Sequence, residues 1–329
     1  MVYPKSSGAN GWVHACFSAL CLAWLTLLLS GCKGDARMEG VTAEKAMPIH
    51  RFDHFQSVAK SDGRLVAVGA FGTIVVSDDS AKNWRRLELP GAPDLVRTVA
   101  CGDGAFLALD VVGRLWRGGH DATQWDAVSI PVKDTVLDLA CSQDNRVWVV
   151  GARGAIFSSS DMGQSWSDKS LSEDIQLLNV QFPSADTGII TGEFGRVLVS
   201  KDGGAHWQES GSLGPDFYPQ GMSFRDAQHG AVVGLSGAFI ETMDGGRTWT
   251  RLKAPTEAPL YGVLMLPAGQ TVVVGAAGTA FIHADGAWLP LKHQQADMRG
   301  LTDTADGVVV AGAGSVEILP LPSHSSGTN

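Results

Sequence analysis

Gly192-Glu193-Phe194-Gly195-Arg196-Val197-Leu198-Val199-Ser200, continuing as Lys201-Asp202-Gly203-Gly204-Ala205-His206-Trp207, is one copy of a unit that returns along the chain. The unit is a glycine-bounded turn, a short apolar run, a second turn rich in Ser, Asp and Gly, and a Trp. The second glycine of its first turn recurs at Gly72, Gly113, Gly154, Gly195, Gly237 and Gly278, at spacings of 41, 41, 41, 42 and 41 residues. Trp84, Trp125, Trp166, Trp207 and Trp249 each follow that glycine by 12 residues, and Trp288 follows by 10. A weaker seventh copy at residues 308–316 ends before the second turn and the Trp. Self-similarity at this period marks an architecture in which each unit buries its faces only against its neighbours.

Each copy reads as four short strands. In the fourth they fall at 178–182, 188–191, 196–200 and 207–209, separated by turn-forming clusters. Four antiparallel strands in about 41 residues make one propeller blade. The expected fold is all-β, a seven-bladed β-propeller of four-stranded antiparallel blades over residues 47–321, with a disordered tail at 322–329. Residues 49–321 fall about one strand short of seven full repeats. Residues 47–52 precede the first inner strand with nothing of their own to pair with. The N-terminal strand is therefore expected to complete blade seven and close the ring, because an open ring leaves an unpaired sheet edge.

Composition agrees with this reading. Forty Gly against 14 Pro, and ten Trp, suit many short strands joined by tight turns, while 44% hydrophobic residues exclude a disordered chain. A net charge of −9 leaves no basic footprint for nucleic acid. Residues 16–29 form an apolar run that is short for a bilayer span and fits the core of a secretory signal. Leu29-Ser30-Gly31-Cys32 follows and resembles the bacterial lipobox. That resemblance implies a signal peptide over 1–31, lipidation of Cys32, and a lipidated N-terminus with a flexible stalk over 32–46. The chain is then exported and lipid-anchored to the cell envelope. Lys33 after the lipidated residue implies, by similarity to Gram-negative lipoproteins, the periplasmic side of the outer membrane.

Two cysteines remain in the expected mature propeller, Cys101 and Cys141, at matching positions of neighbouring repeats. An exported chain could join them, though two small buried core residues are the simpler reading. No Cys-x-x-Cys or closely spaced His pair suggests a metal, and no cofactor is expected. The second turns read Ser159-x-Asp161-x-Gly163, Ser200-x-Asp202-x-Gly204 and Thr242-x-Asp244-x-Gly246, with a degraded Ser77-x-Asp79 copy. This is the Asp-box, or BNR repeat. Its Asp79, Asp161, Asp202 and Asp244 are expected to be structural, their carboxylates accepting backbone N–H groups across the hairpin. Each turn lacks the carboxylates that a calcium ion needs.

Two copies also carry Phe182-x-x-x-Asp186-x-Gly188 and Phe224-x-Asp226-x-x-x-Gly230 ahead of the glycine turn. With the Asp-Gly turn and its Trp, the repeat resembles that of the photosystem II stability/assembly factor family. The resemblance extends from about His50 to Leu321. It implies a lipid-anchored seven-bladed propeller scaffold without catalysis, assisting assembly or stability of an envelope membrane-protein complex or its assembly intermediate. The thylakoid lumen would be the location in a cyanobacterial host. A monomer is expected.

The alternative is a sialidase-like or glycan-binding Asp-box protein. Sialidase chemistry would require an arginine clamp, an acid/base Asp and a Tyr nucleophile activated by Glu. The expected mature chain has only Tyr218 and Tyr261. Residues just before the inner strands and in the glycine turns can reach the channel mouth. Arg97, Arg153, Glu193, Tyr218, Tyr261 and Arg299 are the candidate binding surface on that basis, with Asp138, Asn179 and Gln220 close by.

Overall fold

The computed structural model describes residues 39–293 and 296–322. The signal peptide, Cys32, the first part of the stalk, and the tail beyond residue 322 lie outside the described residues. Glu39–Ala46 form a short helix, where no helical period was expected. A second compact unit begins at Met47.

That unit is a propeller of seven antiparallel sheets. Blades 1 to 6 occupy 55–88, 95–129, 136–168, 177–209, 219–253 and 260–290, each with four strands in meander order. Blade 7, at 298–319, has three. In the fourth copy the strands lie at Leu177–Gln181, Gly188–Gly192, Val197–Ser200 and Gln208–Glu209, within a residue or two of expectation.

The continuous apolar runs of the second strands follow from burial on both faces. In Val147–Gly151 every residue is buried. Because strand side chains alternate in direction, Val147 and Val149 pack toward blade 2 while Trp148 and Val150 pack toward blade 4. Each fully buried Val or Leu in such a strand stabilises by about 1.5–3 kcal/mol. Trp148, 1% exposed, holds the blade 3–4 interface against Phe182 at 5.0 Å and edge-on to Trp207 at 5.9 Å between centroids. An apolar cluster of this kind fills every blade junction among the described residues, including the seam, where Phe55, Leu65 and Val75 meet Val309, Ala311 and Val316.

The Asp-Gly turns are built from short polar contacts. Ser200 Oγ donates to Asp202 Oδ1 at 2.8 Å and accepts the Gly204 N–H at 2.8 Å, while the same carboxylate accepts the His206 N–H at 2.9 Å. Gly204 has φ +84°, and a Cβ there would stand 2.2 Å from the Trp148 ring of the preceding blade. The blade 4 turn thus docks on Trp148 only with glycine at 204, whereas in the blade 1 turn Ala81 takes the equivalent place at φ +69°. Asp161 and Asp244 repeat the pattern with Ser165 and Thr248, and Asp79 does so with Asn83.

Ring closure differs in one detail from the expected N-terminal strand. Residues 47–52 form no ladder with blade 7; an isolated bridge joins His54 to Ala313 instead. The segment curls because the Asp53 carboxylate accepts the His50 N–H at 2.7 Å and the Asp53 N–H returns to the His50 carbonyl at 3.0 Å. Pro48, without an N–H, would also remove one bond from such a ladder. The ring is nevertheless closed, since the Gly314 N–H donates to the Asp53 carbonyl at 2.7 Å. Gly72, Gly154, Gly195 and Gly278 make the same bond to the residue two positions before the next inner strand.

Candidate functional site at the channel mouth

Strand direction sets two faces. The inner strands begin on one, here called the upper face, which also carries the glycine turns and the links between blades. The Asp-Gly hairpins lie on the lower face.

Every inner strand slips register with its second strand one residue after it starts. A β-bulge leaves one residue unpaired and re-aims its side chain. The unpaired residues are Gln56, Val96, Leu137, Leu178, Gln220, Tyr261 and Arg299, one per blade. All seven line a single central cavity of about 430 Å³.

The bulges decide which expected surface residues reach the channel. Arg97, Tyr261 and Arg299 line it, as do Asp138, Asn179 and Gln220. Arg153, Glu193 and Tyr218 do not line it. Arg153 sits in a glycine turn with φ +57°, which turns its side chain outward, 3.7 Å from Asp134. Glu193 accepts the Gln176 N–H at 2.9 Å, and the Tyr218 hydroxyl donates to Gln176 Oε1 at 3.1 Å. Burial and then the nearby Glu193 charge push the Tyr218 hydroxyl pKa up, away from nucleophile character.

The third residue of the inner strand ties blades together on the ring's first half. Ser57 Oγ reaches the Thr98 carbonyl at 3.3 Å. Arg97 Nε lies 2.9 Å from Asp138 Oδ1, an ion pair without hydrogen-bond alignment, and Asp138 Oδ2 accepts the Val180 N–H at 2.8 Å. Burial pushes the Asp138 carboxyl up, opposed by Arg97 and by the backbone donors of Val180 and Leu139. Arg299 lies over the Tyr261 ring, with its guanidinium carbon 4.2 Å from the centroid. Among the described residues, no group of three His, Cys, Asp or Glu side chains is placed to hold a metal ion.

Cys101 and Cys141, read more simply from the sequence as two small core residues, instead form a disulfide with Cα atoms 5.2 Å apart, linking blades 2 and 3 at the ends of their inner strands. A ring of upper-face apolar tips also escaped sequence reasoning. Phe71, Val112 and Phe194 are 70%, 70% and 67% exposed, and Phe71 and Phe194 share the left-handed backbone of Arg153. The signal available was the third position of the glycine turn, which holds a large apolar residue in three copies.

No curated protein matches the chain in sequence. The sequence model of the family described as photosynthesis system II assembly factor YCF48 matches residues 117–216, from the third strand of blade 2 through blade 4. Among solved structures, virginiamycin B lyase from Staphylococcus aureus superposes with a TM-score of 0.72 at 12% identity, covering 82% of this chain and 95% of that one. YCF48 from Cyanidioschyzon merolae gives 0.54 at 17% identity over 72% and 81% of the two chains. YCF48 bound to D1 peptide gives 0.54 at 19% over 67% and 75%. At such identities the likeness is one of fold, and the propeller of an enzyme serves as well as that of an assembly factor. The match over residues 117–216 adds a likeness of repeat sequence to the likeness of fold, and with it this chain is a seven-bladed propeller similar to the photosystem II assembly factors.

Proposed function

We propose that the chain is a non-catalytic, lipid-anchored, monomeric scaffold that assists assembly or stability of an envelope membrane-protein complex, docking it on the upper face. The observation that carries the reading is the apolar tip ring. Exposed Phe71, Val112, Phe194 and Leu235 project from the upper-face turns of four blades, where nothing in the fold requires large apolar residues. Such exposure on one face suits a protein partner. The family match over residues 117–216, and a YCF48 structure that holds a D1 peptide, point to a membrane-protein partner of the kind photosystem assembly factors serve. Export and anchoring at Cys32 are supported by the residue pattern around the lipobox-like segment, and export also by the Cys101–Cys141 bond, which persists in oxidising compartments.

The enzyme alternative is weakened by geometry. Arg97, Tyr261 and Arg299 do share the channel, but among the described residues no glutamate lines it, and the Tyr218–Glu193 neighbours lie outside. The test is photo-cross-linking in native membranes from a reactive residue at Phe71 or Phe194, with Met243, 66% exposed on the lower face, as control. A membrane protein captured from the upper-face sites alone supports the proposal. Equal capture from Met243, or turnover of a sialoside, rejects it.

A further inference from the structure

Polarity around the bulge ring is divided. Blades 5, 6, 7 and 1 contribute Gln220, Tyr261, Arg299 and Gln56; blades 2, 3 and 4 contribute Val96, Leu137 and Leu178. The bulge ring therefore has one hydrogen-bonding side and one apolar side, each spanning adjacent blades, and on the apolar side Arg97, Asp138 and Asn179 line the cavity next to the apolar residues, with Arg97 and Asp138 paired to each other.

Its charge is also at odds with the rest of the chain. Among the described residues, only Arg97, Asp138 and Arg299 bring formal charge to the cavity lining, in a protein of net charge −9. Asp138 is committed on both oxygens, to Arg97 and to the Val180 N–H. Arg299 has no carboxylate partner among the described residues; what holds it is the Tyr261 ring beneath its plane. A guanidinium stacked by its face keeps its N–H edges free, and those edges match the two oxygens of a carboxylate or phosphate. Partial burial strengthens such a pairing relative to bulk water. A volume near 430 Å³ lies within the range of small-ligand sites.

We propose that the channel mouth is a binding site for an anionic group, carboxylate or phosphate, borne on an apolar body. Arg299 and Tyr261 take the anion, with Gln220 and Gln56 beside them, and the Val96–Leu137–Leu178 wall takes the apolar part. This site is independent of the tip ring, so either can fail without the other.

Isothermal titration of the full chain with 4-phenylbutyrate, phenyl phosphate, 4-phenylbutylamine and acetate tests it. At least one aromatic anion is expected to bind about tenfold more tightly than both acetate and the amine. Phenylbutyrate ahead of phenyl phosphate assigns a carboxylate ligand, and the reverse order a phosphate. Arg299→Gln should weaken the preferred anion about tenfold, with Arg299→Lys intermediate and thermal unfolding unchanged. Amine binding equal to the anions, no binding by any anion, or an Arg299→Gln protein that binds normally would each overturn the assignment.

Discussion

The Gly314 N–H donates to the Asp53 carbonyl at 2.7 Å, joining residues 261 positions apart with the same bond that links successive blades elsewhere. Gly314 has φ +71°, and a Cβ there would stand 2.8 Å from the Arg51 carbonyl oxygen. Gly63, with φ +82° and nothing within 4 Å, is the matched control. Both alanine variants bear the cost of a left-handed residue, about 1 kcal/mol, but only Gly314→Ala also pushes on the seam. Urea unfolding should show Gly314→Ala less stable than Gly63→Ala by a further ~1–2 kcal/mol. Equal losses would mean that the seam does not contribute to global stability.

The Cys101–Cys141 bond closes a loop across a sequence separation of 40 residues. Loop-closure entropy for that length corresponds to about 4 kcal/mol. The Cys101→Ser/Cys141→Ser double variant should lose up to this amount under oxidising conditions, and the gap to the parent should close when the parent is reduced. A gap that persists in reductant would assign the loss to packing rather than to the cross-link.

Arg97 and Asp138 are unequal partners. Asp138 is buried, whereas Arg97 is 40% exposed, so removing the arginine strands a carboxylate away from water while removing the acid leaves a cation that can reach solvent. At pH 7 Arg97→Met should cost about 2–3 kcal/mol, more than Asp138→Asn. Burial already raises the Asp138 pKa, and loss of Arg97 raises it further. The stranded charge is therefore relieved by protonation as pH falls, and the Arg97→Met deficit should shrink toward pH 4. A deficit independent of pH would show that the lost contacts were those of the arginine stem.

Acid should act in the opposite sense at the lower-face turns. Hydrogen bonds from the backbone and side chains of Asn83, Ser165 and Thr248 hold Asp79, Asp161 and Asp244 at about 2. A carboxylate with a lowered folded-state pKa contributes stability above its unfolded value near 4, and that contribution is lost as pH falls through 2. Urea midpoints should therefore drop between pH 4 and pH 2. The drop should be smaller in an Asp161→Asn/Asp244→Asn variant, which starts less stable and has fewer such groups to titrate. An unchanged drop would locate acid sensitivity elsewhere.

Trp207 departs from its counterparts. Trp166 and Trp249 donate Nε1–H to the carbonyls of Gly163 and Gly246, each at 3.1 Å, but the buried Nε1 of Trp207 has no partner among the described residues. Replacement by Phe removes a satisfied donor in one case and an unsatisfied one in the other. Trp207→Phe should be milder than Trp249→Phe by about 1 kcal/mol in chemical unfolding. The reverse order would point to loss of the Trp148–Trp207 contact as the larger effect.

Periodicity alone carried the architecture. The recurring glycine and Trp give six copies and a weaker apolar repeat gives the seventh, and the turn clusters place strands to within a residue or two, because a hairpin is specified by the few residues that form it. The conformation of residues 47–52 was not legible. The segment lacked a partner in sequence, but its own Asp53 competes for the N–H that a strand would have offered. The candidate site was legible in part. Arg97, Tyr261 and Arg299 were placed near the channel from their positions at strand starts, and the structure lines the channel with them. Arg153, Glu193 and Tyr218 were placed with them, but left-handed turns and local hydrogen bonds hold those side chains away.

The amino-acid order by itself therefore determined how many blades form and where their strands and turns fall, since those depend on hydrogen bonds and side-chain alternation within one repeat. Only the folded ring decided what faces the channel, which cysteines meet and how the seam is held. Those features depend on seven bulges, one per blade, and on contacts between segments that are far apart along the chain and adjacent only once the circle is complete.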